Sequence, residues 1–173
     1  MNRLHLAYIW LKRCCHSRGF GIQSPTDYSF VRYVINEHWP YYAYDQLAIE
    51  DNWLRQKVGR LCLRLANHRQ PSEVVDLVGF ADYLQAGCRK AHIVAVPHSA
   101  IQLAVVPADT DYQTLFSQCD EQSIVLFDDI RAHYAQWNTI IHDPRASVTF
   151  DLYYCGIVLF DPKRTKQHYI INF

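Results

Sequence analysis

The stretch SIVLFDDIRAHYAQW, residues 123–137, places two adjacent carboxylates, Asp128 and Asp129, behind an apolar run, with His133 four residues after the second. Paired carboxylates can hold a hard divalent cation such as Mg²⁺, and Asp129 and His133 share a face if both are helical. The structural alternative is a helix cap: an Asp between a strand and a helix accepts amide hydrogen bonds from two or three residues further on. The cap is the preferred reading for Asp129, whereas Asp128 is the residue expected to face a crevice at the strand end. No other histidine falls in an HxxxH or HExxH pattern. GxSxG and P-loop patterns are absent too, so acyl and phosphoryl transfer are not indicated. Twelve tyrosines and four tryptophans, densest at Tyr41-Tyr42-Ala43-Tyr44, lack interleaved basic residues. They read as core or protein interface rather than as a stacking platform for nucleic acid.

These residues need a scaffold, and the chain is long enough for one. Its 173 residues fit a single domain, 1–173, with a core that needs no disulfide or metal. Apolar residues make up 50% and charged residues 20%, a globular balance. Lys plus Arg equals Asp plus Glu at 17 each, so no net field attracts nucleic acid or an anionic membrane. The six cysteines form no CxxC pair and no segment has the regions of a signal peptide, which together predict reduced thiols and a cytoplasmic location. No apolar run approaches the roughly 18 residues that span a bilayer.

Residues 1–70 read as helical. Leu4, Tyr8, Leu11 and Cys15 form a stripe expected to dock on the core, with a membrane-surface helix as the lesser alternative. Ser24-Pro25 opens a second helix, roughly 25–38. Asp45 caps a third and longer one carrying Leu47, Leu54, Val58, Leu61 and Leu65. From 71 to 173 the pattern is α/β. Strands are predicted at EVVDLVG, AHIVAVP, IQLAVVP and SIVLF, with helices at FADYLQAGCRK, DYQTLFSQC and from Arg131 to Asp143-Pro144. The end alternates like three antiparallel strands, with turn signals at Cys155-Gly156 and Asp161-Pro162.

The C-terminal SIVLFDDIRAHYAQWNTIIHDPRASVTFDLYYCGIVLFDPKRTKQHYIINF, together with GFGIQSPTDYSFVRYVI near the start, resembles bacterial class I S-adenosylmethionine-dependent methyltransferase-like proteins. The two segments cover somewhat less than half of the chain. The resemblance implies a Rossmann-like methyltransferase sheet and S-adenosylmethionine as cofactor, with Asp76, Gly79 and Asp128 around it.

Such a site needs a glycine-rich turn after the first strand and an acid for the ribose hydroxyls after the second. Here the first position reads Asp76-Leu77-Val78-Gly79-Phe80, with a bulky ring where close approach is required. The second strand runs into Pro97-His98-Ser99 with no acid at its end. Asp82 reads as a solvated charge in the first turn of a helix rather than a replacement. Strand 101–106 resembles the family's fourth, so one strand-helix unit is missing. A parallel crossover needs about a dozen residues, which predicts that 91–96 and 101–106 form an antiparallel hairpin or that one of them leaves the sheet.

The leading expectation is therefore a methyltransferase-like protein with a degenerate cofactor pocket, acting as a non-catalytic scaffold or binding protein. An active enzyme with a rearranged pocket is the alternative. A subunit completed by a protein partner or by a second copy is a third.

Overall fold

The computed structural model describes residues 3–47 and 51–173. Helix α1 (Arg3–Lys12) leads through an irregular turn, Cys14–Gly19, to α2 (Pro25–Phe30), which continues as a π-helix over Val31–Ile35. The Ser24 side chain caps α2 through the Asp27 amide, with Pro25 at the first helical position as the sequence predicts. Val34 and Ile35 close this helix, so their carbonyls have no intrahelical partner, and the buried Arg64 donates to both, at 2.6 and 2.9 Å. Instead of one long third helix there are two, α3 (Tyr44–Leu47) and α4 (Trp53–Arg69). The long one is capped by Asn52, which accepts from the Arg55 amide at 3.0 Å, and not by Asp45. Part of the predicted span, 48–50, lies outside the described residues.

The α/β part follows as β1 (Glu73–Asp76), α5 (Ala81–Gly87), β2 (His92–Val94), β3 (Ile101–Pro107), α6 (Tyr112–Ser117), β4 (Cys119–Asp128), α7 (Tyr134–His142), β5 (Val148–Asp151), β6 (Cys155–Leu159) and β7 (Gln167–Ile170). Among the described residues these strands form one mixed sheet in the order β2-β1-β3-β4-β6-β5-β7, compatible with a Rossmann-like fold. Only β6 runs against the others.

Alternation along each strand divides the core into two layers. Val74, Leu103, Val105, Leu126 and Ile157 pack under α2, α4 and α5. Val75, Ala104, Val106, Val125 and Val158 pack against α6 and α7, around Phe116 and Trp137.

Further expectations are corrected. Both 92–94 and 101–107 belong to the sheet, and each lies parallel to β1, on its two sides. A crossover this short closes because β2 is only three residues long, so residues 95–100 return across a single strand. They lie on the α6/α7 face, where Glu73 of β1 accepts the His98 amide and meets its Nδ1, both at 2.8 Å.

At the C-terminal end β5 and β6 are antiparallel, as expected, but β7 pairs parallel with β5. The β5–β6 turn falls at Leu152–Tyr154, with Tyr153 at φ 72°, and Cys155-Gly156 is inside the strand.

Of the predicted α1 stripe, Tyr8 and Leu11 are more than 60% exposed and Cys15 is exposed, whereas Ile9, off the stripe, is buried; the side chain of Leu4 lies outside the described ones. Arg13, just after the helix, is its anchor. It forms a 2.6 Å ion pair with Asp151 and donates to the Asp151 and Ile171 carbonyls.

Finally, α7 starts at Tyr134 and not Arg131, and it buries Trp137 and Ile140 while Tyr134 faces solvent. No described helix is long and apolar enough to cross a membrane.

Candidate functional site

In an open α/β sheet the ligand crevice lies beyond the carboxyl ends of the strands, where the chain reverses its direction of travel across the sheet. Here that point falls between β1 and β3. The chain leaves β1 outward to β2, then returns to build the rest of the sheet on the other side. Asp76 ends β1 at this point, and its Oδ1 accepts from the amides of Val78 and Gly79 at 3.1 and 2.9 Å. The turn is also tied to β3 by Leu77, whose amide donates to Val105. Gly79 sits at φ 90°, a region L side chains rarely adopt, so glycine is required there by the backbone.

Arg55 occupies the approach to this turn. From the first turns of α4 its guanidinium donates to the Gly79 carbonyl and lies 4.6 Å from the centre of the Phe80 ring. Asp51 holds it from behind at 3.1 Å and accepts the Tyr83 hydroxyl at 2.8 Å. Burial, followed by the Asp51 carboxylate, pushes the Tyr83 phenol up to about 12. Phe80 is 2% exposed, so the ring that the sequence places in the turn faces the core, and what covers the turn is an arginine stacked on it.

Asp128 ends β4, opposite Pro107 on β3 and Cys155 on β6. It shares the α4-covered face with Asp76, because Leu126 and Val74, two residues earlier in each strand, pack in the same layer. Two strand spacings and two residues of rise put the two carboxylates roughly 12 Å apart, too far for a shared ligand atom. Burial, then the neighbouring Asp129, raises the Asp128 carboxyl above its ordinary range, against the opposing pull of the Asp129 amide and of Arg55. The carboxyl ends of β1 and β4 thus place Asp76, Gly79 and Asp128 on one side of the sheet, with Arg55 near them.

Asp129 caps no helix. It has φ 52° and accepts the Ala132 amide at 3.4 Å within a turn that precedes α7. His133 is exposed, and Asp129 is outside the helix, so the two do not share a helical face. Among the described residues no group of three or more His, Cys, Asp or Glu side chains could hold a metal ion. At the end of β2 stand Val94, Ala95 and Val96, with no carboxylate.

Sequence reasoning missed Arg55, Asp51 and Tyr83. The only signal for them was the four-residue spacing of Asp51 and Arg55, which marks a helical ion pair but not what that pair covers. In comparisons with known proteins no family model matches the chain, and neither a curated protein nor a solved structure matches it.

Proposed function

We propose that the chain is a methyltransferase-like α/β protein whose S-adenosylmethionine site has degenerated, and that it works as a non-catalytic binding or scaffold protein. The observation that carries this reading is Arg55, bonded to the Gly79 carbonyl and stacked on Phe80 where backbone amides would have to meet the cofactor. The missing carboxylate after β2 supports it from the ribose side. These residues do not fit S-adenosylmethionine: the turn carries one glycine, its carbonyl is already engaged, and a cation fills the approach.

The ancestry is supported by strand order. A doubly wound sheet has the order 3-2-1-4-5-6, and removing the third strand leaves 2-1-4-5, the arrangement seen here for β2-β1-β3-β4. Residues 95–100 then stand on the face where the lost segment would have crossed.

A thermal-shift titration tests the reading. S-adenosylmethionine at millimolar concentration leaves the unfolding midpoint unchanged if the site is lost, because a ligand stabilises only in proportion to its saturation of the folded state. A saturable upward shift would instead support an active enzyme using Asp76, Gly79 and Asp128.

A further inference from the structure

We propose that the cavity between loop 36–45 and the outer face of α4 binds a small molecule that combines an oxyanion with a planar ring. The cavity measures about 510 Å³, within the range of roughly 300–1,000 Å³ of small-molecule sites. None of its lining residues belongs to the Gly79 turn. Trp53, Lys57, Arg60 and Arg64 recur at four, three and four residues and line it as one stripe of α4, while Arg55 projects from the opposite face.

Three cations on one stripe repel each other unless something negative or electron-rich faces them. Part of the compensation is aromatic: the Lys57 ammonium lies 4.7 Å from the Phe173 ring centre and 5.1 Å from that of Trp53, and the Arg60 guanidinium lies 4.8 Å from Tyr44. Each nitrogen of Arg64 donates once, to the Val34 and Ile35 carbonyls and the Tyr44 hydroxyl, so it stiffens the wall.

Behind the cavity surface two buried donors have no acceptor among the described residues, the Nε of Arg60 and the Nδ2 of Asn36, a residue only 7% exposed. Buried donors without partners are rare and costly. The acids of the lining do not answer them: Glu37 accepts the Tyr41 hydroxyl at 2.8 Å, and Asp45 is exposed. Burial, reinforced by Arg64, pulls the Lys57 ammonium below its ordinary value, the behaviour of a desolvated cation that a bound anion would relieve. Carboxylate and phosphate share the chemistry that this wall lacks. Trp39, 76% exposed at the rim, offers a face for the ring.

The test is calorimetric titration of the full chain with two oxyanion probes, adenosine monophosphate and indole-3-acetate, beside their neutral counterparts adenosine and indole. At least one oxyanion is expected to bind with a Kd of about 10–300 μM, and its neutral counterpart roughly tenfold or more weaker. Which oxyanion binds tells phosphate from carboxylate.

Lys57→Met and Arg60→Met each weaken that binding by about tenfold, Lys57→Arg retains it, and Arg55→Ala leaves it unchanged. In wild-type protein the indole N–H resonances of Trp39 and Trp53 shift on binding while those of Trp10 and Trp137 do not, a readout that needs no variant to fold. The proposal is overturned if neither oxyanion binds below about 5 mM, if the neutral rings bind equally well, if both Met variants bind as wild type, or if the Trp39 and Trp53 resonances stay in place. Loss of binding in Arg55→Ala would overturn it too, by placing the probe at the Gly79 turn. S-adenosylmethionine binding is measured separately, so either reading can fail without the other.

Discussion

The Arg55 guanidinium and the Gly79 carbonyl are hydrogen-bonded across the mouth of the first strand, with Phe80 stacked beneath the arginine. A side chain from the N-terminal helical region thereby covers the turn that the α/β region supplies. Arg55→Ala is expected to lower stability by roughly 1 kcal/mol, since the bond and the stacking are both partly solvated. On the proposed reading it does not create S-adenosylmethionine binding either, because β2 still ends without a carboxylate. Urea unfolding and a cofactor titration of the variant check the two halves of this prediction.

Gly79→Ala isolates the backbone. An added Cβ would lie 3.7 Å from the Arg55 guanidinium, an ordinary contact, so space is not limiting. The φ of 90° is the obstacle, and the substitution should cost about 1–2 kcal/mol by urea unfolding. A neutral result would mean that the turn relaxes easily to another conformation.

Gly156 on β6 gives a contrasting case. It has an ordinary φ, but a Cβ there would collide with the Trp137 ring, which is fully buried. Gly156→Ala should cost about 3 kcal/mol through overpacking. Trp137→Phe in the same background should recover part of that loss, which a double-mutant cycle would read as coupling.

Arg13 and Asp151 are 14% and 7% exposed at their side chains, and the pair ties the end of α1 to the C-terminal end of β5. Removing one partner leaves a charge buried alone, so Arg13→Ala should cost about 3 kcal/mol. Hydrogen exchange should show α1 losing protection before the sheet does.

Asp128 makes stability depend on pH with a definite sign. Its folded carboxyl holds a proton more tightly than the unfolded one, mainly because it is buried. Folding is therefore favoured below the ordinary carboxylate range, and that contribution is lost as pH rises through the raised folded value. Asp128→Asn should raise the urea midpoint at pH 7, and the gain should shrink as pH falls into the carboxylate range. An unchanged midpoint at pH 7 would show that the charge is adequately solvated.

Much of this architecture is legible in local patterns. EVVD, IQLAVVP and SIVLF are buried runs closed by turn residues, and each is a parallel strand. Ser24-Pro25 is a start signal that acts where it stands. What is not legible depends on contacts between distant segments. The parallel placement of β2 and β3 escapes a rule about crossover length, because that rule assumes strands longer than three residues. Tyr8 and Leu11 have helical spacing, but spacing does not tell which face of a helix finds a partner.

In the candidate site Asp76 and Gly79 could be read from a strand followed by a turn, since both act through backbone next to them. Arg55 could not, because its target lies 24 residues away and no periodicity connects α4 to a glycine carbonyl.

Calorimetric titration of the purified chain with S-adenosylmethionine is the most direct test of a degenerate cofactor site. No saturable heat is expected up to about 1 mM ligand, corresponding to binding weaker than roughly 4 kcal/mol. Stoichiometric binding with a micromolar Kd would contradict the account and show that Arg55 moves aside for the cofactor.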